Sequence, residues 1–205
     1  MVEDPRLSAP SAARNRDAIL AALRPHLPRS GTVLEIASGT GEHVAYFATA
    51  LGRLVWQPTD PVPERRASID AWASGLRNVR RAIDLDTTSD PWPVTAAQAI
   101  LCINMLHIAP SAATRGLMAG AARVLPPGGP LAIYGPFRWR FRPLEPGNAA
   151  FDADLRSRDP AWGLRMVEAV AELAEAVGFG APTVIPMPAD NLVLVFRLAT
   201  SPPPR

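Results

Sequence analysis

The stretch Val33-Leu34-Glu35-Ile36-Ala37-Ser38-Gly39-Thr40-Gly41-Glu42-His43 runs from an apolar strand through a Gly-x-Gly turn into the start of a helix. Glycines at 39 and 41 permit a sharp backbone turn and close approach to a ligand, and the N–H groups of the following helix point back at that turn. This is the geometry of a nucleotide-type cofactor cradle. A dinucleotide fingerprint requires a third glycine three residues after the second, and that position is Val44. The strand also carries an acidic residue, Glu35, ahead of the glycines. S-adenosylmethionine (SAM) has no phosphate, but it has an ammonium group, a ribose diol and an adenine, all of which suit carboxylates and backbone carbonyls. Glu35 and Val44 together favour SAM over a dinucleotide.

Strands and helices alternate outward from this stretch. A helix over residues 11–23 precedes it, ended by Pro25. The first strand covers 32–36, a helix 42–51, a second strand 54–57, a helix 63–74 and a third strand 78–83. The most apolar strand, 99–104, suits the centre of a sheet. A helix over 111–125, stopped by Pro126-Pro127-Gly128-Gly129, leads to a fifth strand at 131–134. Residues 136–162 are rich in Pro, Arg, Trp, Phe and Gly and lack a clean period, which predicts a functional insertion or lid on the substrate side. A helix over 164–177 follows, then two strands, 182–187 and 192–198, joined as a hairpin by Pro188-Ala189-Asp190-Asn191. The series predicts an α/β protein with a seven-stranded, mostly parallel sheet, helices on both faces, and a terminal antiparallel hairpin. That is the Rossmann-like layout of class I methyltransferases.

Composition narrows the classes further. A chain of 205 residues, 48% hydrophobic, is long enough for one well-buried α/β domain and short for two. The formal net charge is +2, and every basic residue besides three histidines is an arginine, scattered without a stripe. That distribution argues against a nucleic-acid partner. The single cysteine, Cys102, cannot form an internal disulfide, which points to a reducing compartment. The acidic start Met1-Val2-Glu3-Asp4-Pro5 lacks a signal-peptide core, and no apolar stretch reaches membrane-spanning length. A cytoplasmic protein that binds no membrane is expected, monomeric or homodimeric, with a frayed tail at 201–205.

Ligands in open α/β sheets sit outside the carboxyl ends of the strands, so those ends are read together. Asp60 follows the second strand, 19 positions after Gly41, where a carboxylate can accept both ribose hydroxyls; its alternative is a turn aspartate between prolines. Asp84 follows the third strand, where a carboxylate can accept from an adenine amino group and the backbone at Leu85 can read the ring edge. Asp86 is its rival, and either can be a helix cap. Asn104-Met105-Leu106-His107 follows the fourth strand, at the methyl-donating end of the cofactor. Asn104 can bind through its amide or turn the chain, and His107 can take a proton from a substrate O–H or N–H or serve as a packed core histidine. Tyr134 ends the fifth strand, with a hydroxyl able to orient a nucleophile. Beyond it, Phe137, Arg138, Asn148, Phe151, Asp152, Arg158 and Trp162 are the candidate substrate-recognition residues. If residues 151–156 are helical, Asp152 and Arg156 are spaced to pair on one face.

The order of these residues resembles the DUF938 family of SAM-dependent methyltransferase-like proteins. Matching segments run from Ala12-Ala13-x-Asn15-Arg16 through Leu34–His43, Trp56-Gln57-Pro58-x-Asp60, Leu101-Cys102-Ile103-Asn104-Met105-x-His107, Tyr134-Gly135-Pro136 and Asn148-x-x-Phe151-Asp152. They end with Arg158-Asp159-Pro160-x-Trp162-Gly163-x-Arg165 and Met187-Pro188-Ala189. The resemblance implies a SAM-binding class I fold with cofactor contacts near Glu35, Gly39, Gly41, Asp60 and Asp84. It also directs attention to Arg14 and Asn15, because a helix before the first strand can fold over the cofactor. The chain departs from the family pattern at 139–148 and at Asp190. The expected activity is methyl transfer from SAM, leaving S-adenosylhomocysteine, to a small-molecule O, N or S acceptor without a metal. The alternatives are a nucleic-acid methyltransferase and a non-catalytic SAM-binding interaction protein.

Overall fold

The computed structural model describes residues 4–200, so the expected tail at 201–205 and the first three residues lie outside the described part. Its frame is set by strands that are apolar on both faces. In β1 (Gly31–Ile36), β3 (Ala99–Ile103) and β4 (Pro130–Arg138) nearly every residue is buried, as a sheet covered on both sides requires. With β2 (Leu54–Pro58), β6 (Thr183–Pro186) and β7 (Asn191–Arg197), they lie in the order β2-β1-β3-β4-β7-β6. The pairs among β2, β1, β3 and β4 are parallel, whereas β7 runs antiparallel to both β4 and β6. The chain therefore moves outward from β1 to β2 and then crosses back to β3. This reversal leaves a crevice at the carboxyl ends of β1 and β3.

Two strands differ from expectation. Residues 78–83 do not form a continuous strand; they touch β2 through isolated bridges at Trp56–Val79 and Thr59–Ile83. Side chains take over the ladder between those bridges. Asp70 accepts Ala82 N–H at 2.7 Å, and the Gln57 amide donates to Arg81 O at 2.9 Å. The seventh strand is instead a two-residue piece, β5 (Arg165–Met166), paired parallel to the end of β4. It occupies the start of the expected helix, which begins at Val167.

Helices α1 (Pro10–Leu23), α2 (Glu42–Ala50) and α3 (Pro63–Trp72) cover one face, with Ile19, Phe47, Trp56 and Ile69 at the centre of that core. Helices α4 (Ser111–Val124) and α6 (Val167–Glu175) cover the other, around Leu117, Ala121, Val170 and Phe196. The segment 136–162 is more regular than its sequence suggests. Strand β4 continues through Arg138, and α5 (Pro146–Arg158) follows, started by a proline in its first turn. Only Asp152 and Leu155 of α5 are buried, so the helix lacks the apolar period by which helices are recognised.

Candidate active site

The turn after β1 is built from backbone conformations that side chains seldom adopt. Ala37, Gly39 and Gly41 have φ of 52°, 61° and 91°. The two glycines serve different ends. A Cβ on Gly39 would meet little beyond Ala37 O at 4.0 Å, whereas one on Gly41 would stand 2.6 Å from the Ile69 Cα. Gly41 thus lets α2 begin against α3, and Gly39 leaves the space above the turn open.

The neighbouring turn after β2 is tied to it. Asp60, 0% exposed, accepts Gly39 N–H at 3.1 Å and Val62 N–H at 3.0 Å. Ser38 N–H donates to Thr59 O at 2.8 Å. The segment preceding α1 is then laid across the loop. Glu42 accepts Ala9 N–H at 2.6 Å, and Ser68 accepts Leu7 N–H at 2.8 Å while donating to Thr40 O at 2.7 Å. Asn15 Oδ1 lies 2.8 Å from His43 Nε2, so α1 is tied to α2 directly over this end of the sheet.

These turns enclose a cavity of about 580 Å³ whose walls include Ser38, Gly39, Leu85, Asp86, Asn104 and Met105. Of the residues singled out in the sequence, Gly39, Leu85 and Asn104 line it, and so does Asp86, the rival of Asp84. Asp84 points elsewhere: its side chain is 68% exposed and faces Arg66 at 3.5 Å. Glu35, Gly41 and Asp60 lie behind the wall, and Arg14 is exposed on α1. Glu35 is 1% exposed and one carboxyl oxygen has no hydrogen-bond partner among the described residues. Burial pushes its pKa up to about 7.

A third wall comes from residues 85–88, where the sequence places the adenine contacts. It lies directly on α4 because that helix presents Gly116 and Gly120, one turn apart. A Cβ on Gly116 would stand 2.0 Å from Thr87 O, and one on Gly120 would stand 2.1 Å from the Trp92 ring. The spacing Gly116-x-x-x-Gly120 is the signal that could have located this contact.

The two far strand ends meet at Asn104. Its φ is 58°, its N–H donates to Tyr134 O at 2.9 Å, and its side chain lies beside that of His107 around Gly135. His107 is buried with its ring edge-on to Phe151, centroids 5.6 Å apart. Burial, with the Arg165 cation adding to it, lowers its pKa to about 4, so the imidazole is neutral at pH 7. Tyr134 lies on the opposite face among the α1 and α2 residues, near Asn15, and burial raises its pKa. The structure therefore groups Asn104 with His107 and separates Tyr134 from them by the thickness of the sheet.

The candidates from Phe137 onward are dispersed. Phe137 packs in the core, and the Asn148 amide donates to Asp190 O at 3.3 Å. Arg158 pairs with Asp154 at 3.6 Å and stacks on Trp162. Asp152 pairs with Arg156 at 3.0 Å, as their spacing implies, and also accepts Leu164 N–H at 2.6 Å. Burial opposes its charge, but these two donors and nearby Arg138 hold its pKa below the usual value. Among the described residues, no group of acidic, histidine or cysteine side chains is disposed to hold a metal.

This strand order, with the cavity at its reversal and an antiparallel final hairpin, defines the class I methyltransferase fold. Solved structures share it at low identity. Human N-acetylserotonin methyltransferase in complex with SAM superposes with a TM-score of 0.79 at 15% identity, over 93% of this chain and 53% of its own. An O-methyltransferase family protein from Burkholderia thailandensis gives 0.74 at 18% identity, over 94% and 61%. Mitomycin 7-O-methyltransferase MmcR gives 0.79 at 14% identity, over 92% and 54%. The chain thus spans little more than half the length of these proteins. The profile of the family described as "Protein of unknown function (DUF938)" matches residues 6–198, and the chain belongs to that family.

Proposed function

We propose that this protein is a SAM-dependent methyltransferase acting on a small-molecule O, N or S acceptor. The observation that carries the reading is the cavity at the strand reversal, walled by the turns after β1 and β3 and by residues 85–88. Its chemistry fits SAM better than a dinucleotide. The first turn of α2 holds Glu42, whose charge opposes a pyrophosphate at that helix start. Buried Val44 occupies the third-glycine position. Ile36, Leu85, Ile103 and Ala113 offer an apolar slot for a purine, and Asp86 offers a carboxylate beside it. Two non-glycine residues in left-handed conformation, Ala37 and Asn104, both line the cavity, and such strain persists where a site requires it.

SAM supplies an electrophilic methyl group. The protein's part is to align an acceptor with it and exclude water. Asn104, on the cavity wall and beside His107, marks the acceptor end. His107 is buried beside Asn104 and does not itself line the cavity; neutral, with a pKa of about 4, it would steady the acceptor end more than it deprotonates an acceptor O–H or N–H. Tyr134 keeps its proton and supports Asn15 from the sheet. Helix α5 places Phe151 against His107, which supports a covering role for 136–162, with Asn148, Arg158 and Trp162 shaping that cover. Asp60 holds the glycine turn in place, and Asp86 meets the nucleoside.

Several arginines are internally paired, including Arg81 with Asp70, Arg123 with Asp90 and Arg140 with Glu172, which supports a small acceptor over nucleic acid. No helix among the described residues is long and apolar enough to cross a membrane. The single cysteine, Cys102, buried and free in β3, supports a cytoplasmic site of action.

Calorimetry with SAM and S-adenosylhomocysteine tests the reading. One-to-one binding of both is expected, weakened about tenfold in Asp86→Ala, the effect of about one lost hydrogen bond to a charged group. Saturable NAD binding with no heat from either SAM compound would reverse it.

A further inference from the structure

A second cleft, of about 250 Å³, lies between the start of α4, strand β5 and helix α6. It shares no lining residue with the larger cavity. The wall between them is the turn at 106–109: Arg165 donates to Leu106 O at 3.1 Å and to Ala109 O, while Ile108 and Ala109 face the larger cavity. The cleft is lined by three arginines, Arg138, Arg156 and Arg165. Asp152 pairs directly with Arg156 alone, and its charge is what Arg138 and Arg165 also feel. Three cations thus share one carboxylate.

Polar groups in this cleft are left unmet. Arg138 Nε is buried with no hydrogen-bond partner among the described residues. The same holds for the hydroxyl of Thr114, which lines the cleft and is 3% exposed. A buried donor without a partner costs roughly 1–3 kcal/mol, so these groups call for an acceptor. The N-terminal turn of α4 adds its positive end to the same side. The remaining wall is apolar: Leu164, Met166, Val170 and Leu173. A strongly hydrated inorganic oxyanion finds no use for that wall, whereas a guanidinium fork matches a carboxylate.

We propose that this cleft binds an organic monocarboxylate, its carboxylate set between Arg138 and Thr114 and its apolar body against Leu164, Val170 and Leu173. The volume equals roughly eight waters, room for a chain of about six carbons. The ligand is separate from the methyl acceptor, because the 106–109 turn stands between this cleft and Asn104. The site does not depend on the methyltransferase reading.

Ligand-detected NMR and calorimetry on the full chain without cofactor provide the test, with hexanoate, hexanol and inorganic phosphate as probes. Hexanoate is expected to bind one-to-one, with hexanol and phosphate at least tenfold weaker. Arg138→Gln is expected to weaken hexanoate about tenfold. Thr114→Val, nearly isosteric, is expected to weaken it about threefold and decides the matter if the arginine variant fails to fold. Absence of hexanoate binding, equal binding of hexanol, phosphate binding as tight as hexanoate, or unchanged affinity in a folded variant would each overturn the proposal.

Discussion

The cavity at the strand reversal and the arginine-lined cleft are made by opposite means. The larger is a backbone construction: turns with positive φ at Ala37, Gly39 and Asn104 open it, and few charged side chains face it. The smaller is a side-chain construction, in which three arginines from β4, α5 and β5 converge beneath the start of α4. A site made of backbone turns is fixed by the strands it connects, and it is as rigid as the sheet. A site made of long cationic side chains depends on what else holds them, here Asp152 and the carbonyls of Leu106 and Ala109. The first kind holds a ligand by shape and backbone groups, the second by charge.

Gly116→Ala strikes hardest at the backbone-built side. Its Cβ would collide with Thr87 O, and displacing residues 87–88 should cost about 3 kcal/mol or more and remove S-adenosylhomocysteine binding. Urea denaturation and calorimetry read the two effects. A variant of unchanged stability and affinity would show that α4 does not position this wall.

Glu35→Gln comes next, through pH. Folding raises the Glu35 pKa from 4.5 to about 7, so the native state holds a proton that the unfolded chain releases in that window. Stability therefore falls as pH rises from 4.5 to about 7 and stays at the lower level above it. The glutamine variant lacks this loss and should gain ~3 kcal/mol on the wild type between pH 4.5 and pH 8, from about 1.4 kcal/mol per pKa unit. Thermal melts at those two pH values provide the measure; parallel behaviour would mean that the carboxyl finds a partner.

On the side-chain-built side, Asp152→Ala leaves Leu164 N–H without its acceptor and Arg156 without its ion. A loss of about 2 kcal/mol is expected, together with faster proteolysis within 159–165. The smallest effect belongs to Ala37→Gly. Relief of the left-handed strain at φ 52° outweighs the added chain entropy by about 0.5 kcal/mol, a slight stabilisation visible in denaturant midpoints.

The contrast between the clefts also explains what could be read beforehand. The βα alternation and final hairpin announce the sheet because its buried strands are continuous apolar runs, and the glycine turn announces the first cavity because positive φ selects glycine. Asp84 and Asp86 could not be separated in this way. Both follow the same strand-like segment, and only the path of residues 84–88 across α4 puts Asp86 on the cavity wall and Asp84 out against Arg66. Helix α5 was illegible because a helix burying one aspartate and one leucine carries no apolar period. The segment 78–83 misled because its ends do pair with β2 through backbone bonds, while side chains interrupt the ladder between them at Arg81 and Ala82.

By itself, then, the sequence determined the alternation of the central strands and helices, the terminal hairpin and the place of the glycine turn, since these follow from local conformational preference and burial over a few residues. Only the tertiary structure decided which carboxylate faces the cavity, that Asn104 stands with His107 and away from Tyr134, and that Arg138, Arg156 and Arg165 share one cleft. Those outcomes depend on contacts between residues far apart in the chain, such as Gly116 against Thr87 and Arg165 against Leu106, whose geometry no local pattern encodes.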